Sequence, residues 1–137
     1  MRSLFAVSLF LPALALAAAS PLESVTATGE SIPQRMVSLS VKEDVAASDA
    51  RVLRAREQMA RAIRNTGETE QAVAAACTRA ARFIFDSTKS PATSIEVLDA
   101  LAEKGAGRAM SDSIGRYVEA RRNSPGKTHA EAIAAMK

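Results

Sequence analysis

The chain has 137 residues, with 18 Lys and Arg against 15 Asp and Glu, one His, one Cys and no Trp. That length supports one domain around one core. A single cysteine excludes an internal disulfide, one His with one Cys excludes a clustered Cys/His zinc site, and a net charge of +3 says little about partners.

Residues 1–19 have the three parts of a secretory signal peptide. Arg2 supplies the charged start, Leu4 to Ala19 form an apolar run broken by Ser8 and Pro12, and small alanines close it. The run is shorter than the roughly 20 residues of a membrane span. Cleavage before Ser20 is therefore expected, with no stable membrane anchor left behind and a net charge lowered by the loss of Arg2. Residues 20–43 are rich in Ser, Thr, Pro, Gly and Glu, which reads as a flexible polar arm. Within it Val37, Leu39 and Val41 alternate with polar residues, a strand-like signal with no partner strand, so extended or unfolded chain is expected.

Residues 44–137 read as a helical domain. A first helix is expected from Asp44 to Arg64, with Val45, Val52, Met59 and Ile63 on one stripe and Arg51, Arg54, Arg61 and Arg64 opposite. Arg56 falls near the middle of the apolar stripe, where it would snorkel, pair with Asp49 or mark a covered surface. Gly67 stops this helix. A second should run from Glu70 to Asp86 and bury Val73, Ala76, Cys77, Ala80 and Ile84, with Phe83 at the edge. Thr93 with Glu96 and Thr128 with Glu131 fit capping boxes that open a third and a last helix. Between them, Ala109 to Arg122 should form a fourth, with Met110, Ile114, Tyr117 and Val118 inward. The fold class is all-α: a signal peptide and flexible arm followed by a small four- or five-helix bundle.

Chemistry-bearing residues are sparse. His129 directly follows an expected N-cap, which places it at a solvent-facing helix start. Cys77 sits on an apolar stripe and is expected as a buried thiol rather than a nucleophile. Asp86, Asp99 and Asp112 recur at equal spacing across helix breaks, which suits capping and solvation. Gly105-Ala106-Gly107 lacks the strand and lysine of a phosphate loop. The arginine face of the first helix lacks stacking aromatics and is diluted by Asp44, Asp49 and Glu57, so no nucleic acid is expected as a partner. No catalytic, metal or cofactor residues are assigned, and no enzyme activity is expected.

One motif stands in the first helix: Arg51-Val52-Leu53-Arg54. It resembles the Arg-any-Leu-Arg signature of the RxLR effectors that oomycete plant pathogens secrete. The layout is similar too, with signal peptide, polar arm, motif and helical region in that order. No Glu-Glu-Arg tract follows the motif, and the downstream helices have no Trp and one Tyr. The resemblance implies a trafficking role for Arg51, Val52, Leu53 and Arg54. It also implies delivery into host cells and a non-enzymatic domain that binds a host protein and interferes with host defence. A reducing host cytosol would account for the missing disulfides. The alternative expectation, which needs no motif, is a bacterial periplasmic helical chaperone or an accessory subunit of an envelope assembly.

Overall fold

Ser31 opens the first helix: its hydroxyl accepts from the Gln34 N–H, and a proline follows at the start, where a missing N–H costs nothing. The computed structural model describes residues 29–123 and 128–137 and is all-helical over them. The expected signal peptide, residues 20–28 of the expected arm, and most of the turn after Asn123 lie outside the described residues. The helices are α1 (Ile32–Val41), α2 (Ala50–Thr66), α3 (Glu70–Thr88), α4 (Ser94–Lys104), α5 (Met110–Arg122) and α6 (His129–Ala135). None is long and apolar enough to cross a membrane.

The helix α1 corrects the reading of residues 20–43. Residues 32–41 are neither an extended chain nor part of a flexible arm. The alternation of Val37, Leu39 and Val41 is outweighed by Ile32, Met36 and Val37, which fall on one helical face. Met36 and Val37 are buried, while Leu39 and Val41 stay exposed. A helix also satisfies its own backbone groups, which a strand without a partner does not. Lys42 ends α1 in the left-handed region at φ 60°. Residues 44–49 are likewise a loop rather than helix. Asp49 is the true N-cap of α2, accepting from the Arg51 N–H, and this is why α2 begins later than Asp44. The loop is pinned to α1, because Gln34 Nε2 donates to the Val45 carbonyl at 2.9 Å and Val45 N–H donates to Ser38 Oγ at 3.3 Å.

Helix α4 is the hub and touches every other helix. Val97, Leu98 and Leu101 are sealed, and they pack with Val73, Cys77 and Ile84 of α3, Met59 and Ala62 of α2, and Tyr117 of α5. Many core positions are alanines, which let helices approach closely while each buries little apolar area. A smaller cluster of Val37, Val45, Val52 and Ala55 joins α1 to α2, with Ile95 of α4 against it. Asn65 Nδ2 of α2 donates to the Leu101 and Ala102 carbonyls at 3.0 Å, supplying partners for the last turn of α4.

The two expected capping boxes differ. Thr128 and Glu131 form the complete box. Thr93 accepts from the Glu96 N–H, but the Glu96 carboxylate turns away to Arg121. Cys77 is fully buried, and burial pushes its thiol up to about 12. Arg56 is exposed, and Asp49 pairs with Arg51 instead of with it.

Candidate functional site

A chain of polar side chains runs through the bundle from α2 to α5. Gln58 of α2 donates through Nε2 to Asp99 Oδ1 of α4 at 2.5 Å. The other Asp99 oxygen lies 2.7 Å from His129 Nε2, at the first residue of α6. His129 Nδ1 lies 2.8 Å from the Tyr117 hydroxyl of α5. One turn on, Arg121 NH1 donates to that hydroxyl at 2.9 Å and to Glu96 Oε2 at 2.6 Å, and NH2 donates to the Pro91 carbonyl at 2.5 Å. Arg121 Nε is sealed, with no hydrogen-bond partner among the described residues.

With a neutral His129 ring the donors and acceptors fix one proton arrangement. An ionised Asp99 only accepts, so His129 Nε2 carries a proton. In the neutral ring Nδ1 then accepts from the Tyr117 hydroxyl, whose oxygen accepts from Arg121. The His129 hydrogen bond holds the Asp99 carboxyl below the usual carboxylate range; burial opposes this, and Gln58 assists it. Burial pushes the Tyr117 phenol up to about 12 despite the adjacent guanidinium. Burial works against the Arg121 charge, but Glu96 and then Tyr117 outweigh it and hold the guanidinium above its ordinary range. Both His129 nitrogens are engaged and Tyr117 is sealed from solvent, so the arrangement is a clasp holding α2, α4, α5 and α6 together.

These positions correct the sequence reading of His129, which is partly buried and doubly bonded rather than facing solvent. Of the three spaced aspartates, only Asp99 joins the clasp; Asp86 and Asp112 pair with Arg82 and Arg116 on the surface. Sequence singles out neither Gln58 nor Arg121, and it marks Tyr117 only as an inward-facing core residue and Glu96 only as a capping residue. The usable signal was the i, i+4 spacing of Tyr117 and Arg121, a pairing that helix geometry brings into contact.

Two concave surfaces stand out, one lined in part by clasp residues and one lined by none of them. One is an open cavity of about 300 Å³ between α1, α2 and α4. Val37, Val41 and Ile95 form its apolar lining, and Gln58, Asp99 and His129 face it from the clasp. Arg51 and Arg54 line it from α2. Arg51 is held by Asp49 at 2.9 Å and Glu43 at 3.0 Å, which keeps its charge fixed well above its ordinary range. The four motif residues therefore separate: Val52 is in the core, Arg51 and Arg54 line the cavity, and Leu53 is 49% exposed. Among the described residues no group of His, Cys, Asp and Glu is arranged to hold a metal ion.

The second surface is an apolar groove of about 460 Å³ between α3 and α5. Ala76, Ala80 and Phe83 line it from α3, and Met110, Ile114 and Val118 from α5. Phe83 is 50% exposed. Arg79 lines the groove, and the Arg122 guanidinium lies 5.7 Å from the Phe83 ring centre. Gly115 also lines it, and a Cβ built there meets nothing within 4 Å. Comparison with protein-family models, with curated proteins and with solved structures finds no match for this chain.

Proposed function

We propose that this chain is an exported, non-enzymatic effector whose helical domain binds a host protein by taking one of its amphipathic helices into the α3–α5 groove. The observation that carries the reading is the groove itself. It leaves a phenylalanine ring half exposed and is lined by aliphatic side chains on both sides. An apolar helix face seated there would bury that ring, in helix-in-groove fashion. Arg79 and Arg122 beside it favour a partner helix with acidic residues flanking its apolar ridge. Export and delivery rest on the sequence. The leader pattern supports the first. For the second, Arg51, Leu53 and Arg54 are all exposed on α2, accessible to a recognising surface.

The experiment has two parts. Antibody to the mature chain is used to probe medium, envelope, cytosol and infected host tissue. Partners recovered with the wild-type protein are then purified and rebound to wild type and to Ile114→Glu. Protein in the medium and host, with a purified host partner whose binding is lost in Ile114→Glu, is the expected result. Protein confined to an envelope would overturn the host reading. Self-association that Ile114→Glu abolishes would assign the groove to a second copy instead.

A further inference from the structure

We propose that the cavity between α1, α2 and α4 is a separate binding site for a small aliphatic monocarboxylate that carries a hydrogen-bond donor. It shares no lining residue with the α3–α5 groove and does not depend on it.

The first observation is an unused acceptor. Gln58 is 4% exposed and lines the cavity. Its amide nitrogen is committed to Asp99, because an ionised carboxylate requires a donor. Its Oε1 has no hydrogen-bond partner among the described residues, and it is not one of the sealed unpartnered atoms. It is therefore reachable, and the cavity is the space that reaches it. Open to the cavity, this oxygen can accept from water, and a ligand donor arriving there would take the place of that water.

The second observation is an uncommitted cation. Gln58 lies four residues after Arg54, on the same face of α2. Arg54 makes no ion pair among the described residues, whereas its neighbour Arg51 is fully occupied by Asp49 and Glu43. Asp99, which senses the Arg54 charge, already has both oxygens bonded to Gln58 and His129. The Arg54 guanidinium thus keeps its fork for an incoming carboxylate. Val37, Val41 and Ile95 offer an aliphatic chain an apolar wall. Asp99 and Glu96 also line the cavity, so a second negative charge on the ligand meets repulsion. The ligand class follows: one carboxylate at Arg54, one hydroxyl or amide N–H at Gln58 Oε1, and a short aliphatic body between α1 and α4.

The test is a titration of the full chain with 2-hydroxy-4-methylpentanoate, followed by NMR of the Val37, Val41 and Ile95 methyl groups. Comparison ligands are 4-methylpentanoate, which lacks the donor, the 2-hydroxy amide, which lacks the carboxylate, and citrate and inorganic phosphate. Saturable shifts with a Kd of about 1 mM or tighter are expected. Affinity should fall at least about tenfold in Arg54→Ala, an exposed position where folding is retained. It should fall by a smaller factor without the donor, and citrate and phosphate should not move these methyls. Shifts that persist unchanged in Arg54→Ala, equal binding of the amide, or no saturable shift would overturn the assignment. Because this test uses the wild-type chain and Arg54→Ala, with methyl groups that do not line the groove, failure here and failure of the groove are read separately.

Discussion

Asp99 Oδ2 and His129 Nε2 lie 2.7 Å apart although thirty residues separate them in the chain. This contact fastens the short terminal helix α6 onto the hub helix α4. Helix α6 has only seven residues, too few to persist alone, so its place depends on this bond and on Ala132 and Met136 in the core.

Replacing His129 by Ala should remove one clasp bond from Asp99 and another from Tyr117. A loss of about 1–3 kcal/mol is expected, read from urea unfolding. Amide exchange in residues 131–136 should quicken more than in α2. An unchanged unfolding midpoint would show that the clasp is ornamental.

Acid should weaken the same contact. The Asp99 carboxyl is held below its ordinary value of 3.8 in the folded chain, so its contribution is fully present above that pH. It is lost as pH falls through the lower folded value. Asp49, held at about 2 chiefly by Arg51, acts in the same direction over the window from 3.8 down to about 2. Stability measured from pH 6 to pH 2 should therefore fall more steeply in wild type than in Asp99→Asn. Parallel curves would contradict this.

Arg121 is 5% exposed and serves three acceptors at once. Lysine carries a single ammonium and does not reproduce that fork. Arg121→Ala should cost about 1–3 kcal/mol by taking the charged donor from the partly exposed Glu96 and the hydrogen bonds from Tyr117 and the Pro91 carbonyl, and Arg121→Lys should recover only part of that. Thermal unfolding of the two variants checks the order.

Gly115 lies inside the continuous helix α5 at a position with open space around a new Cβ. Gly115→Ala should stabilise the domain by about 0.5–1 kcal/mol through helix propensity alone. A destabilising result would show that the groove is tighter than its geometry indicates.

Much of the helical part was legible because it is locally determined. Gly67 ends α2 at φ 71°, the left-handed conformation that glycine adopts without strain, and the Thr128–Glu131 box forms in full. Val52 and Met59 of the expected stripe are buried on α2, Ile63 is partly buried, and Val45 is buried from the loop before the helix. Helix α1 was missed because a polar, Ser-rich composition masked the Met36–Val37 face, whose burial depends on contacts with α2, α3 and α4. The clasp was missed for a related reason. His129 follows an N-cap, which locally means solvent, and only the docking of α6 puts Asp99 and Tyr117 on either side of its ring. Glu96 shows the same conflict, since its spacing from Thr93 signals a capping box but Arg121 takes its carboxylate.

The most direct test of the central claim is a titration of the isotope-labelled protein with a helical peptide bearing leucines along one face and glutamates on both sides. Shifts centred on Phe83, Ile114 and Val118, lost in Ile114→Glu and weakened by added salt or by exchanging the glutamates for lysines, are the expected result. Equal binding of the lysine peptide, or shifts that leave α3 and α5 untouched, would contradict the proposal that this groove receives an acidic amphipathic helix.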